Sequence, residues 1–544
     1  MKNYSIGVDF GTLSARAALV DVENGREIAT ATFAYPHGVM TSADFGESAS
    51  EDVAYQHPED YIRALVYTIR EVVSSSGVPA EEVIGLGIDF TACTVLPALY
   101  DGTPLCSIEK YAECPSAYAK LWKHHGAESE ARELTALAAA RAEGWLDIYG
   151  GKLSSEWLLP KLLETVRKAP SVINDADLFI EAADWLVRLL TGERVRSSCM
   201  AGYKACWNAK NGYPDSEYLH AVDPRLAEAF AKLIDGEVRP CGTKAGCLNA
   251  EWANRLGLSE RCVVTVPIID AHAAIPACGA ADKNVLSLIV GTSACHLIMS
   301  DKDLDIKGIA GKVENGVVDG LVAYEAGQSA CGDMFAWFRD NLIPADVSEE
   351  AAKKGMSVFD LLSQRAEKMV AGESGIIVLD WWNGNRTPYM DSTLSGSIIG
   401  ITTVTRPEHI YRGLLEGCAF GTRRIVELYE NGGIQVKRVV ASGGIPAKNP
   451  LLMQIFADVL GKRIEVSSAI ECAAKGSAIM ASVAANAYDS LTEACAAMSD
   501  PCTAVYEPDP DNSKRYEPIY KMYRELSEYF GKESEIMPML RKGK

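Results

Sequence analysis

Asp9 closes an apolar run in YSIGVDFGTLSARAALVDV and is followed at once by Gly11-Thr12 and a second apolar run. A Gly-Thr turn between two strands offers backbone N–H groups and hydroxyls to phosphate, with no bulky side chain in the way. A carboxylate at the mouth of such a turn can hold Mg2+, through water because this ion sheds its hydration reluctantly. The pattern recurs in VLSLIVGTSACHLIMSD, where Gly291, Thr292 and Ser293 form the turn. A third glycine turn, Gly443-Gly444, follows a strand in VKRVVASGGIPAKNPLLMQIFADVL and leads into a helix. One Gly-Thr turn alone reads as a plain hairpin. Two of them with the third turn downstream point to a grip on a polyphosphate. Asp270 ends another apolar run, in VPIIDAHAAIPACGA. A carboxylate so placed either caps a helix or orients and deprotonates a hydroxyl that attacks phosphorus. With an ordinary carboxyl pKa of ~4 it needs no tuning to be ionised at neutral pH. His272 beside it reads as structural.

Such residues work only if a scaffold holds them. At 544 residues the chain is too long for one core, so two domains with inserted pieces are expected. An apolar content of 48% with 23% charged residues marks a globular chain. The formal net charge of −20 argues against a nucleic-acid surface and against attraction to anionic lipid. It leaves room for an anionic ligand, because backbone N–H groups hold phosphate locally. Fifteen cysteines, without CxxC pairs and often in apolar runs (Cys93, Cys278, Cys418), fit a reducing cytoplasm. The eight histidines show no ligand spacing for a transition metal. No signal peptide precedes the first strand and no apolar stretch reaches spanning length, so a cytoplasmic protein without a membrane partner is expected.

Met1 to about Pro97 reads as strands and helices in alternation: two strands around Gly11, a helix from Tyr61 into Val73, and a buried strand in EEVIGLGIDFTACTVLP. From about Asp101 to Leu258 the chain is richer in helix, aromatic residues and loops, as a substrate-specific insertion would be. The opening pattern then returns at Val285, and the helices HIYRGLLEGCAFGTRRIVELY and AAKGSAIMASVAANAY complete the second half. Two halves sharing one strand–turn–strand device imply an internal duplication with a cleft between the copies.

DFGTLSAR, VGTSA and SGGIPAKN resemble the first phosphate, second phosphate and adenosine motifs of the actin/hexokinase/Hsp70 ATPase superfamily. Their spacing and flanks resemble the FGGY carbohydrate kinases. DFTACT, KLWKHH, YGGKLSSEWLLPKLL, AGYKACW, IDAHAAIPACGA, YEAGQSACGDMFAWF and LDWWNGNRTP are similar to blocks of the ribulokinase branch of that family, as far as about Tyr488. The resemblance implies an α/β fold of two actin/hexokinase-like (ribonuclease H-like) ATPase domains with a central cleft. They would divide at 1–283 and 284–544, with the insertion in the first. It implies ATP as co-substrate, Mg2+, and phosphorylation of a ketopentose, L-ribulose, to ribulose 5-phosphate. Strictness against D-ribulose and xylulose stays open, as does assembly, for which a homodimer is the candidate.

On the same resemblance Asp270 matches the catalytic base and Asp9 the residue that serves Mg2+. The backbone at Ala92, with Trp122, Lys204, Asp270 and Glu325, would face the sugar. Thr12, Ser14, Arg16, Gly291, Thr292, Ser293, Gly332, Gly443, Gly444 and Asn449 would face ATP. Plain alternatives stand beside these. Glu325 follows a strand and precedes a helix expected from near Gly327, whose N-terminus it would favour. Trp122 packs in a core, and Arg16 points outward from its strand. Glu325 and Lys204 lie in opposite halves, so joint contact with one small sugar implies closure of the cleft. Two departures from the family pattern are Leu13, where related kinases carry a hydroxyl, and Lys475, where an apolar residue is usual near the adenine. The competing activities are another FGGY kinase, acting on xylulose or glycerol, and an actin- or Hsp70-like ATPase, which would not need the insertion.

Overall fold

The computed structural model describes residues 2–46, 52–468 and 472–542, and two seven-stranded sheets in it follow one plan. The first half supplies β1 (Tyr4–Phe10), β2 (Ser14–Asp21), β3 (Glu27–Ala34), α1 (Pro58–Ser76), β4 (Val83–Phe90), α2 (Ser198–Lys204), β5 (Lys244–Cys247), β6 (Val263–Thr265), β7 (Ile268–Ile269) and α3 (Asp270–Ala277). Its sheet runs β5-β6-β4-β1-β2-β3, with β7 beside β4. The first three strands are an antiparallel meander, and β4 returns parallel to β1 after α1. That helix starts where Pro58 follows His57, whose ring nitrogen accepts the Glu59 N–H, and stops at Gly77 in a left-handed conformation. Tyr61, Leu65, Ile69 and Val72 recur at helical spacing and are buried.

The second half supplies β8 (Val285–Val290), β9 (Ala294–Ser300), β10 (Gly311–Glu314), β11 (Val322–Gln328), α4 (Gly332–Leu342), α5 (Pro407–Asn431), β12 (Arg438–Ser442), α6 (Gly444–Lys448), α7 (Pro450–Leu460), β13 (Ile464–Ser467), α8 (Ala473–Ala484) and β14 (Cys502–Tyr506). Its sheet runs β10-β11-β9-β8-β12-β13-β14. Here too β8, β9 and β11 pair antiparallel, and β12 returns parallel to β8. Each half therefore has a central pair of parallel strands, and the first strand of each pair runs into a glycine turn, at Gly11 and Gly291.

One helix breaks the sequence order. α8 lies on the first sheet, and the strand glycines explain how. A Cβ on Gly7 would stand 1.7 Å from the Ala474 carbonyl oxygen, and one on Gly87 would stand 2.1 Å from that of Ser477. Only glycine lets helix backbone come this close to a strand. Where α8 crosses α3, Gly476 meets the Ala273 carbonyl in the same way, at 1.6 Å from an added Cβ. Lys475, the departure from the apolar residue usual in this helix, is buried on α8 and ion-pairs with Asp500 at 2.6 Å. The insertion has a core of its own, including Leu158, Leu162, Phe179 and Tyr218. No helix among the described residues is long and apolar enough to cross a membrane.

Candidate active site

The tetrapeptides GVDF and GIDF, residues 7–10 and 87–90, lie side by side in register, Gly7 with Gly87, Asp9 with Asp89 and Phe10 with Phe90. The two phenyl rings stack 4.9 Å apart. This brings two carboxylates together at the ends of β1 and β4. Asp89 is buried; its Oδ2 accepts the Ser477 hydroxyl of α8 at 2.6 Å, and its Oδ1 has no hydrogen-bond partner. Burial, then the charge of Asp9, pushes its pKa well above the ordinary carboxylate range. Asp270 opens α3, half-buried, and its Oδ1 accepts the Ala271 N–H at 2.6 Å. Burial, then Asp9, pushes Asp270 up to about 7, against the opposing pull of that N–H and of Lys204. The expectation of an unperturbed Asp270 is corrected for this reason: three acids converge where a lone one was assumed. Such a cluster, with one orphaned buried oxygen, fits a hard cation. Among the described residues no group of three or more His, Cys, Asp or Glu is arranged to hold a metal unaided. The donor set therefore suits Mg2+, which binds through one or two carboxylates, water and phosphate.

At the first turn the Gly11 N–H donates to the Ser14 carbonyl at 3.0 Å, beside Thr12. Gln56 Nε2 donates to the Thr12 carbonyl at 2.6 Å, and the Trp122 indole N–H donates to the Thr12 hydroxyl at 3.1 Å. Trp122 is 38% exposed, so the core-packing alternative does not hold for it. Arg16 stands opposite Asp9 in the hairpin register, with its guanidinium 3.9 Å from Glu27 on β3. In the second turn the Gly291 N–H donates to Ser293 O, while the Gly291 and Thr292 carbonyls accept the N–H groups of Gly332 and Cys331, each at 2.9 Å. The turn is thus docked on the start of α4. Gly443, at φ 104°, leaves no room for a Cβ, which would lie 2.5 Å from the Val290 carbonyl. Beyond it a cavity of about 630 Å³ is lined by Gly332, Phe335, Phe359, Tyr411, Gly444 and Asn449, among others. Asn449 caps α7 through Oδ1 and donates from Nδ2 to the Tyr411 hydroxyl at 3.0 Å. Gly332, Gly444 and Asn449, all expected to face ATP, thus line one cavity.

Glu325 sits in the middle of β11, and the helix after it starts only at Gly332. Its expected place just ahead of a helix from Gly327 is corrected, and the capping alternative falls with it. The carboxylate is buried and accepts from His272 Nε2 at 3.1 Å. Burial would raise its pKa, but the charges of Lys204, His272 and Arg386 prevail and hold it at about 2. Lys204 ends α2 with its Nζ 5.9 Å from the centre of the Trp157 ring. α2 already touches the second half, since the Tyr203 hydroxyl donates to the Ala323 carbonyl at 3.1 Å and its ring abuts Gly311. Lys204 and Glu325, from opposite halves of the chain, therefore lie near enough for the ammonium to act on the carboxylate. Ala92 lies beside Cys93, whose φ is 53° and whose carbonyl accepts from the buried Lys161 ammonium at 2.7 Å. Asp89, Gln56, Lys161, His272 and Arg386 had not been placed at the site. Only Asp89 left a signal, in the repeat of GVDF as GIDF.

Residues 4–275 match the profile of the FGGY family of carbohydrate kinases, N-terminal domain, and residues 286–485 that of the C-terminal domain. A ribulokinase of Halalkalibacterium halodurans is 43% identical over 545 residues, covering 99% of this chain and 97% of that protein. One of Geobacillus thermodenitrificans is 44% identical over 547 residues, with the same coverage. The crystal structure of xylulose kinase from Rhodospirillum rubrum superposes with a TM-score of 0.79 at 20% identity, covering 96% of this chain and 98% of that one.

Proposed function

The chain belongs to the FGGY family of carbohydrate kinases, its full-length relatives are named ribulokinases, and on that footing we propose that it phosphorylates L-ribulose to ribulose 5-phosphate. It is an ATP-dependent carbohydrate kinase with the two-domain α/β ATPase fold of that family. The observation that carries the ribulose reading is the 43–44% identity to ribulokinases over nearly the whole chain; the convergence at Asp270, whose carboxyl feels the charges of Asp9 and Lys204, supports the phosphoryl transfer.

Glu325, Lys204, Trp122 and the backbone at Ala92 hold the sugar. Polar groups built to meet hydroxyls reject a substrate that leaves them unpaired. Asp270 receives the proton of the attacking hydroxyl. A pKa of about 7 matches a general base to neutral pH. The turns at Gly11–Ser14 and Gly291–Ser293 bring backbone N–H groups and hydroxyls to the phosphates, with Arg16 beside the first. Gly332, Gly443, Gly444 and Asn449 take the adenosine in the cavity at α4 and α6. Asp9, with Asp89 behind it, would hold Mg2+ through water; when bound, the ion supplies positive charge to the phosphates. The sheets support a division at 1–283 and 284–544, with α8 returning to the first sheet. The fifteen cysteines, all free, support a cytoplasmic location.

A coupled ADP-release assay across pentuloses and pentitols tests the substrate, with Glu325→Gln as the site test. The variant keeps shape and one acceptor but loses a charged hydrogen bond, worth ~1.5–3 kcal/mol, or roughly ten- to more than a hundredfold in kcat/KM for L-ribulose. The KM for ATP should stay in place. Equal shifts in both KM values would remove Glu325 from the sugar site.

A further inference from the structure

We infer that His272 is a positioning residue of the sugar site, fixing the orientation of Glu325 so that one carboxylate oxygen stays free for the substrate. The inference rests on the assignment of Glu325 to the sugar. His272 is buried, 2% exposed, and each ring nitrogen has one side-chain partner: Nε2 with Glu325 Oε2 and Nδ1 with Cys199 Sγ, both at 3.1 Å. The Tyr203 ring meets the imidazole edge-on with centroids 4.7 Å apart. These contacts come from three elements. His272 is on α3, two residues beyond Asp270; Glu325 is on β11; Cys199 and Tyr203 are on α2, which ends at Lys204. One ring thus joins the helix of the base, the strand of the sugar carboxylate and the helix of the sugar lysine.

An ionised carboxylate only accepts hydrogen bonds, so Nε2 must carry a proton toward Oε2. The Cys199 thiol is compatible with either state of the ring: its S–H donates to a bare Nδ1, and its sulfur accepts from Nδ1–H. Occupying Oε2 in this way leaves Oε1 to meet a hydroxyl. Lys204 and Arg386 also act on Glu325. Without the imidazole the carboxylate is free to turn onto these cations, and the pair would then satisfy itself instead of the sugar.

Three substitutions separate positioning from packing. In His272→Gln the amide nitrogen reaches about as far as Nε2 and can still donate to Glu325. His272→Asn reaches only as far as Nδ1, and His272→Leu donates at neither point. The KM for L-ribulose should rise tenfold or more in the Leu and Asn variants and return most of the way in the Gln variant, with the KM for ATP unmoved in all three. Adding His272→Leu to Glu325→Gln should cost less than the two single losses combined, because both act on one interaction. The inference is overturned if Asn restores as well as Gln, if both KM values move together, or if the sugar KM does not change. Should the Leu variant not fold, the Gln and Asn pair decides the matter alone. An unchanged sugar KM in Glu325→Gln by itself would remove the underlying assignment. A raised one, with no dependence on the donor at position 272, would remove only the role of His272.

Discussion

Asp270→Asn should make the free protein more stable while nearly abolishing its activity. In the folded chain this carboxyl titrates at about 7, against 3.8 for an unperturbed one, with burial the first cause and Asp9 the second. Its ionisation therefore opposes folding. The cost is absent below about pH 4, grows as pH rises, and is complete above pH 7. A gap of roughly three pH units corresponds to about 4 kcal/mol at ~1.36 kcal/mol each. Because the side chain is half-buried and partly screened by water, about 2–4 kcal/mol is the working figure. The helix N-terminus at α3 favours the charge, but by only ~0.3–1 kcal/mol, too little to reverse the sign. Asparagine keeps the acceptor for the Ala271 N–H and removes the charge. Urea unfolding without nucleotide or Mg2+ should then place the variant above the parent at pH 8, with the difference closing toward pH 4. Turnover should fall by roughly two or more orders of magnitude, the scale of a lost general base. A variant no more stable than the parent at pH 8, or a difference that ignores pH, would refute the picture of three acids held in tension. Near-normal turnover would remove Asp270 from the chemistry.

Asp9→Ala should weaken the use of Mg·ATP and leave the KM for L-ribulose in place, as a titration of rate against Mg2+ at saturating sugar would show. Ala336→Trp, on the wall of the 630 Å³ cavity, should raise the KM for ATP with little change in that for the sugar; the reverse pattern would misplace the adenosine. Gly476→Ala puts a methyl group 1.6 Å from the Ala273 carbonyl, so α3 and α8 must part. Since a displacement of ~1 Å at a reacting group costs about a hundredfold, kcat should fall by that order or the protein should fail to fold. Normal kcat and stability would show that the crossing does not position Asp270.

The turns were legible because turn chemistry is local. Gly11-Thr12, Gly291–Ser293 and Gly443-Gly444 carry their geometry in two or three neighbouring residues. The alternation of apolar runs likewise exposed the duplicated halves, and the ends of those runs exposed Asp9 and Asp270. Asp89 was within reach of the same reading, since GIDF repeats GVDF and parallel strands in register bring equal positions together. What the sequence could not carry is what meets through space. That α8 returns to the first sheet depends on glycines at positions 7, 85, 87 and 476 facing backbone hundreds of residues away in one direction or the other. That Glu325 lies mid-strand, bonded to His272 and beside Lys204, follows from how α2, α3 and β11 pack, and no spacing along the chain encodes it. The pKa of Asp270 was misjudged for the same reason. A side chain's charge state is set by its desolvation and its neighbours in space, so only the tertiary structure could decide it.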